Sequence, residues 1–191
     1  MAEQYGRVAK QPDGQYPFPV GRAFAGSLGY PPDVLDSLPR SAVDAFAGIS
    51  YPLTHANLQP GETMLGLGCG AGMDTILMAR QVGTTGCVHS LDLSADMLEC
   101  ARANIAIAGL DSVTFHQTLA EDIPLGDGSI DAVIINGILN LCPSKETVVN
   151  EVYRVLRPDG RLLVSEIVLR MPDDEEWVGE TCGLTLDDWF Q

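Results

Sequence analysis

The sequence predicts an α/β fold, a doubly wound, Rossmann-like and mainly parallel sheet, and three observations predict it. Short apolar runs alternate with segments of helical periodicity from Thr63 onward. The run IDAVIING, 130–137, is apolar enough for a strand buried on both faces. A glycine-rich loop, Gly66, Gly68, Gly70 and Gly72 within MLGLGCGAGMDT, stands between the first apolar run and the first helical one. Right-handed crossovers then wind such a sheet in both directions.

Taken in order, residues 1–30 are rich in Gly, Pro and Tyr and read as an extended arm. PPDVLDSLP (31–39) and RSAVDAFAG (40–48) read as two short helices, with Pro opening the first and Gly48 following the second. QPGE (59–62) is a turn. TMLGL is the first strand, GMDTILMARQV the first core helix and GCVHSLD the second strand. SADMLECARANIAIAG is the next helix, with Ser94 as its N-cap and Gly109 just past its end. DSVTFHQ and IDAVIING are the third and fourth strands. KETVVNEVYRVL is amphipathic, its apolar face being Val148, Val149, Val152 and Val155/Leu156. RPDG turns the chain into a fifth strand, GRLLVSEIVL.

Composition narrows the function. The 191 residues suffice for one domain with a real core. No stretch of about 18 apolar residues occurs, so no membrane span is expected. The N-terminal residues lack the basic start and apolar core of a secretory leader. Five cysteines without CxxC spacing point to a reducing cytoplasm. The net charge is −15, which repels nucleic acid and anionic membranes alike. A small-molecule substrate remains, and no metal is expected.

The glycine loop lies where doubly wound sheets bind ligands, outside the carboxyl ends of the strands. Glycines let the backbone approach a ligand, and the following helix N-terminus adds free N–H groups and positive potential. Asp92, twenty residues beyond Gly72, ends the second strand, where a carboxylate can grip ribose hydroxyls. The loop itself has two readings. Gly66, Gly68 and Ala71 satisfy the dinucleotide pattern GxGxx[GA] and would serve a nicotinamide-dependent reductase. Gly68, Gly70 and Gly72 satisfy GxGxG, the pattern of S-adenosylmethionine sites.

Four segments in order, LGLGCGAG, LDLSADML, AEDIPLGDGSIDAVIINGILNL and EVYRVLRPDGRLLVSE, resemble the successive motifs of class I S-adenosylmethionine-dependent methyltransferases. They cover about residues 60–168. GCGAGMD, NGILNLCPSK and LGYPPDVLDSLPRSAVDAFAG resemble the arsenite methyltransferase-like subgroup in particular. The resemblance implies S-adenosyl-L-methionine as cofactor and methyl transfer to a small-molecule acceptor. It sets Gly68, Cys69, Gly70 and Gly72 against the cofactor's methionine part, counts Gly66 in the same cofactor-binding loop, and puts Asp92 on the ribose with Leu93 and Met97 beside the nucleoside. Ala120, Glu121 and Asp122 would flank the adenine, and Asn136 would border the sulfonium and the acceptor. It also implies a division into an N-terminal cap (1–58), a cofactor-binding core (59–168) and a truncated C-terminal segment (169–191).

The chain departs from that pattern in three places. The family's acidic residue in the loop is Gly66 here, with Asp74 at the helix start as its replacement or else a site that has lost catalysis and only binds. A family cysteine is replaced by Gly137; Cys142 lies five residues on and Cys182 matches the downstream one, while Cys87 and Cys100 read as small buried residues. The thiol set for arsenite, a soft acceptor, is therefore incomplete. The fold's last strand pair is missing, and the fifth strand's edge needs cover from Trp177, Leu184, Trp189 and Phe190 or from a homodimer. The weak catalytic candidates are His55, Cys142 and Cys182; His89 and His116 read as packing or surface residues within strands.

Overall fold

The computed structural model describes residues 2–168. Cys182 and the apolar residues of the C-terminal segment, with the cover expected of them, lie outside the described residues.

Five strands form one sheet in the order β3-β2-β1-β4-β5, and every neighbouring pair is parallel. The strands are β1 (Thr63–Leu67), β2 (Cys87–Asp92), β3 (Val113–Gln117), β4 (Ile130–Asn136) and β5 (Leu156–Ser165). The core helices are α6 (Met73–Val82), α7 (Ala95–Ile107) and α8 (Lys145–Val155). The chain winds outward from β1 to β3, then restarts beside β1 with β4. The β1/β4 boundary is thus the switch point where such sheets open a crevice.

Each face of the sheet has its own core. Met64, Val88, Ala132 and Ile134 pack with Ile76, Met78 and Ile105 of α6 and α7. Leu65, Leu67, Leu91, Val133 and Ile135 pack on the other face with Val148, Val152 and Val155 of α8. Burying each of those three valines is worth about 1.5–3 kcal/mol, which holds α8 down. Val149, expected on that face, is 46% exposed. Ser94 and Ser144 cap α7 and α8 by accepting from Met97 N–H and Thr147 N–H.

The turn expected at RPDG sits inside β5. Pairing passes from Ile130↔Leu156 to Ala132↔Arg161, so four residues loop out, with Asp159 at φ 66°. β5 stops at Ser165, short of the expected Leu169.

The arm is the main correction. Within residues 1–30 lie two helices, α1 (Ala2–Lys10) and α2 (Gly21–Ser27). The reason is a helical repeat: Tyr5, Val8 and Ala9 share one face, and Val8 is fully buried with Met97, Ala45 and Ala71. The segment between them carries a ring stack, Tyr5 on Phe18 at 4.9 Å and Tyr16 on Phe18 at 5.8 Å. The two short helices expected at 31–48 form as α3 (Pro32–Asp36) and α4 (Arg40–Asp44), followed by α5 (Leu53–Ala56). These helices bring the segment 42–48 over the carboxyl ends of the strands.

Candidate active site

The chain leaves β1 and must reverse into α6 within a few residues. Gly68, Gly70 and Gly72 take φ of +71°, +51° and +88°, which side chains rarely adopt. A Cβ on Gly68 would also overlap Ile138, and one on Gly72 would press Ala101 of α7 at 3.2 Å. Cys69 N–H donates to the Leu91 carbonyl at 2.9 Å, and Gly70 N–H donates to Asp92 Oδ2 at 2.8 Å. Ser94 N–H donates to Asp92 Oδ1 at 2.9 Å. One carboxylate therefore ties the loop to the start of α7, and each of its oxygens keeps a lone pair. Burial pushes the Asp92 carboxyl up, against the lowering effect of its backbone donors.

A cavity of about 310 Å³ opens beside this loop. Of the expected residues, Gly68, Cys69, Gly70, Asp92, Leu93, Met97, Ala120, Glu121, Asn136 and Cys142 line it. Four expected residues do not. Gly66 is buried in β1 between Ser90 and Ile134, and a side chain there would meet Met78 Cε. Gly72 belongs to the α6–α7 contact. Asp122 is outside the lining, and its N–H donates to the Leu119 carbonyl at 3.1 Å. His55 is exposed on α5, ahead of β1 and outside the lining. His89 and His116 pair with each other across β2 and β3, Nδ1 to Nε2 at 3.1 Å.

Asn136 lines the cavity, yet its amide is fully engaged. Its Oδ1 accepts from Ile49 N–H at 3.0 Å and Ser50 N–H at 3.1 Å. Its Nδ2 donates to the Ser50 carbonyl at 3.0 Å and to Asp74 Oδ2 at 2.9 Å. With two donors and two acceptor sites all in use, Asn136 is a fastener between β4 and the N-terminal cap. Tyr30 completes the knot by donating to Asp74 Oδ1 at 2.5 Å. Burial raises the Asp74 carboxyl and, with Asp74 beside it, the Tyr30 phenol as well.

The charges in the lining decide what it can hold. Among the described residues they are Asp74, Asp92 and Glu121, with no Lys, Arg or His in the lining. None of the three has an ion-pair partner among the described residues. Glu121 Oε1 accepts from Ser144 N–H at 3.3 Å, and its buried Oε2 has no hydrogen-bond partner among the described residues. A buried carboxylate oxygen without a donor is costly, so this one is a place for a ligand N–H or O–H. A pyrophosphate would meet three carboxylates, which counts against a nicotinamide dinucleotide. A cationic ligand with hydroxyl and amine donors is favoured.

Comparison with known proteins agrees. A family model described as "Methyltransferase domain" matches residues 58–185. The chain belongs to the methyltransferase domain family. The domain is 39% identical over 145 residues to an arsenite methyltransferase of Halobacterium salinarum, covering 76% of this chain and 37% of that protein. It is 35% identical over 139 residues to an arsenite methyltransferase of Aquipseudomonas alcaligenes, covering 66% of this chain and 40% of that one. The chain thus spans about two fifths of the length of these relatives. Among solved structures it resembles an arsenic(III) S-adenosylmethionine methyltransferase from Chlamydomonas reinhardtii, with 32% identity, a TM-score of 0.59, and coverage of 79% of this chain and 50% of that one. With the family comes the cofactor, S-adenosylmethionine. The cavity's residues fit it: an α-ammonium and a sulfonium suit the carboxylates, the ribose hydroxyls suit the free lone pairs of Asp92, and an exocyclic amine suits Glu121 Oε2.

Among the described residues no helix is long and apolar enough to cross a membrane. Sequence reasoning missed Tyr5, Phe46 and Ile138 in the lining. The spacing of Tyr5, Val8 and Ala9 was the available signal for the first; the other two are set by chain packing that no local pattern carries.

Proposed function

We propose that the methyltransferase domain transfers a methyl group from S-adenosylmethionine to a small-molecule acceptor. One observation carries the reading: a cavity at the switch point whose charged groups, among the described residues, are all carboxylates, one of them with a buried oxygen that no described residue partners. Gly68, Cys69 and Gly70 lie along the methionine part, with Asp74 facing its ammonium. Asp92 takes the ribose hydroxyls, with Leu93 and Met97 beside the nucleoside. Ala120 and Glu121 flank the adenine, and Glu121 Oε2 accepts from its amine. Gly66, Gly72 and Asp122 act from behind, by shaping the strand, the helix start and the loop.

The bound cofactor supplies an electrophilic methyl group on a sulfonium. The chain's own work is to hold that cation among carboxylates, to fix Asp74 through Tyr30 and Asn136, and to roof the cavity with Tyr5, Phe46 and Ala47 so that water is kept away. Residues 59–168 serve as the cofactor-binding core, 1–58 as its cap and 169–191 as a terminal segment. The free thiols of Cys69, Cys87, Cys100 and Cys142 suit a reducing, cytoplasmic setting. The edge of β5, unpaired among the described strands, offers a route to a homodimer.

The relatives' names favour a second reading, arsenite as the acceptor. Against it, burial raises the thiols of Cys69, Cys100 and Cys142, the last to about 11, so they are protonated at neutral pH and poor soft ligands. Calorimetric titration with S-adenosylmethionine, S-adenosylhomocysteine and NADP tests the main reading. Saturable binding of both sulfur nucleosides with none of NADP is expected. NADP binding with no response to either nucleoside overturns it.

A further inference from the structure

A second cavity, of about 240 Å³, adjoins the first and shares Tyr5, Ala47, Gly137 and Leu141 with it. Its walls differ in kind. Phe18, Phe24 and Ile49 supply apolar surface, and among the described residues Glu166 is the one charged group in the lining. Among the described residues no cysteine lines it.

We infer that this second cavity is the acceptor subsite of the methyltransferase, and that it takes a phenol, a one- or two-ring aromatic whose hydroxyl meets Glu166. The inference rests on the methyl-transfer reading above.

Three features select that class. First, size: about 240 Å³ is below the roughly 300 Å³ at which pockets for drug-sized ligands begin, so a small ring system is the right scale. Second, Tyr5 and Phe18, stacked at 4.9 Å, both line this cavity, so its wall presents aromatic surface to a ring ligand. Third, the polar end is built. Glu166 Oε2 accepts from Asn140 N–H at 3.0 Å and Oε1 accepts from Ile167 N–H at 2.9 Å. Asn140 Nδ2 donates to the Ile167 carbonyl at 2.7 Å, which locks this corner to the end of β5. Each Glu166 oxygen retains one lone pair for a ligand hydroxyl. A carboxylate repels an anionic acceptor, and among the described residues no thiol lines the cavity to hold a thiophilic one.

Tyr5 stands at the junction. Burial first, then the charges of Glu166 and Asp92, push its phenol above the ordinary value, so it remains a hydrogen-bond donor between the two cavities. In the reaction, the acceptor oxygen's lone pair forms the new O–CH3 bond as the S–CH3 bond breaks. The released pair stays on sulfur as S-adenosylhomocysteine is left, and the phenolic proton passes to the Glu166 carboxylate and on to water.

The test uses the full chain and two titrations. S-adenosylhomocysteine is titrated first; failure to bind it overturns the methyl-transfer reading itself, and the inference with it. With that site saturated, 2-naphthol, naphthalene and sodium arsenite are then titrated in turn, with loss of naphthol fluorescence as a second readout. Expected is saturable binding of 2-naphthol, at least tenfold tighter than naphthalene, and formation of its methyl ether when S-adenosylmethionine is supplied. I167W, which fills the cavity, and E166Q, which removes the charge, lie on one wall, so F18A on the opposite wall guards against a local folding failure. Each should weaken 2-naphthol at least tenfold, and in I167W and E166Q S-adenosylhomocysteine affinity should stay within about twofold. Binding of S-adenosylhomocysteine with no saturable naphthol binding, naphthol binding indifferent to all three variants, or methylation of arsenite alone overturns the inference and leaves the methyl-transfer reading standing.

Discussion

Asp92 carries two duties, and its substitution separates them from a merely structural role. Its carboxylate fastens Gly70 and Ser94 and is assigned the ribose hydroxyls. Hydrogen bonds to a charged group are worth about 1.5–3 kcal/mol, so Asp92→Ala should lower S-adenosylhomocysteine affinity roughly ten- to a hundredfold at about 1.4 kcal/mol per decade. An unchanged dissociation constant in a folded variant would mark Asp92 as a loop fastener alone. Asp74 makes a prediction about pH. Burial raises its carboxyl in the folded chain, so the folded state binds the proton more tightly than the unfolded state does. The stability this contributes is complete below the unfolded value of about 3.9 and is lost as pH rises through the folded value. Once that carboxyl loses its proton the ligand-free protein carries an unfavourable buried charge, which a ligand ammonium offsets. Affinity for S-adenosylhomocysteine should rise with pH as the Asp74 carboxyl loses its proton, and the slope should flatten in Asp74→Asn; calorimetry at a series of pH values reads both. Much at this scale was legible beforehand. Gly68, Gly70 and Asp92 are dictated by a tight turn and a strand end, which local sequence encodes. Gly66 was not, because a pattern of alternate glycines does not say which of them face the crevice; the strand's pleat does.

Among the elements, α8 acts as a clasp for the loop that carries Glu121. Arg154 Nη1 donates to the Leu125 carbonyl at 2.8 Å and Nη2 to the Ile123 carbonyl at 2.9 Å. Glu151 holds Arg154 from one side and accepts Ile123 N–H at 3.0 Å from the other. Arg154→Ala should lower stability by about 2–3 kcal/mol, seen as a lower urea midpoint, and should weaken S-adenosylhomocysteine several-fold as Glu121 loses its support. Its Arg154 bonds also hold the Glu151 carboxyl below the ordinary value. That contribution is present above the unfolded value and is lost as pH falls through the folded one, so the gap in stability between wild type and Arg154→Ala should narrow in acid. The element pattern from β1 to β5 was readable because apolar period and length differ between strand and helix. α1 was hidden by composition: Gly6 and a following Pro-rich stretch look like arm, although Tyr5, Val8 and Ala9 keep helical spacing. The Val149 misassignment has the opposite cause, an apolar residue one step beyond the width of the buried stripe.

For the whole molecule, sheet order and switch point follow from alternating strands and helices, whereas the roof depends on contacts between residues far apart in the chain. Asn136 reaching Ile49 and Tyr30 reaching Asp74 have no local signature. Because the cavity forms only in the folded chain, its ligand should stabilise the whole domain: S-adenosylhomocysteine at a hundred times its dissociation constant adds about 2.7 kcal/mol, and melting temperature should climb with its concentration. The roof has a further consequence, for the order of events during turnover. Tyr5 is a wall of both cavities, and α1, which carries it, rests on α7 through Val8 and an exposed Lys10–Asp96 pair. Lifting α1 to exchange the nucleoside also dismantles the neighbouring subsite. The nucleoside should therefore enter first and leave last, making turnover a compulsory-order sequence timed by a door and not by bond making. Product inhibition then has a fixed signature: S-adenosylhomocysteine competes with S-adenosylmethionine but is noncompetitive toward the acceptor. Val8→Ala, by loosening the hinge side of that door, should quicken nucleoside release in stopped-flow more than it slows capture.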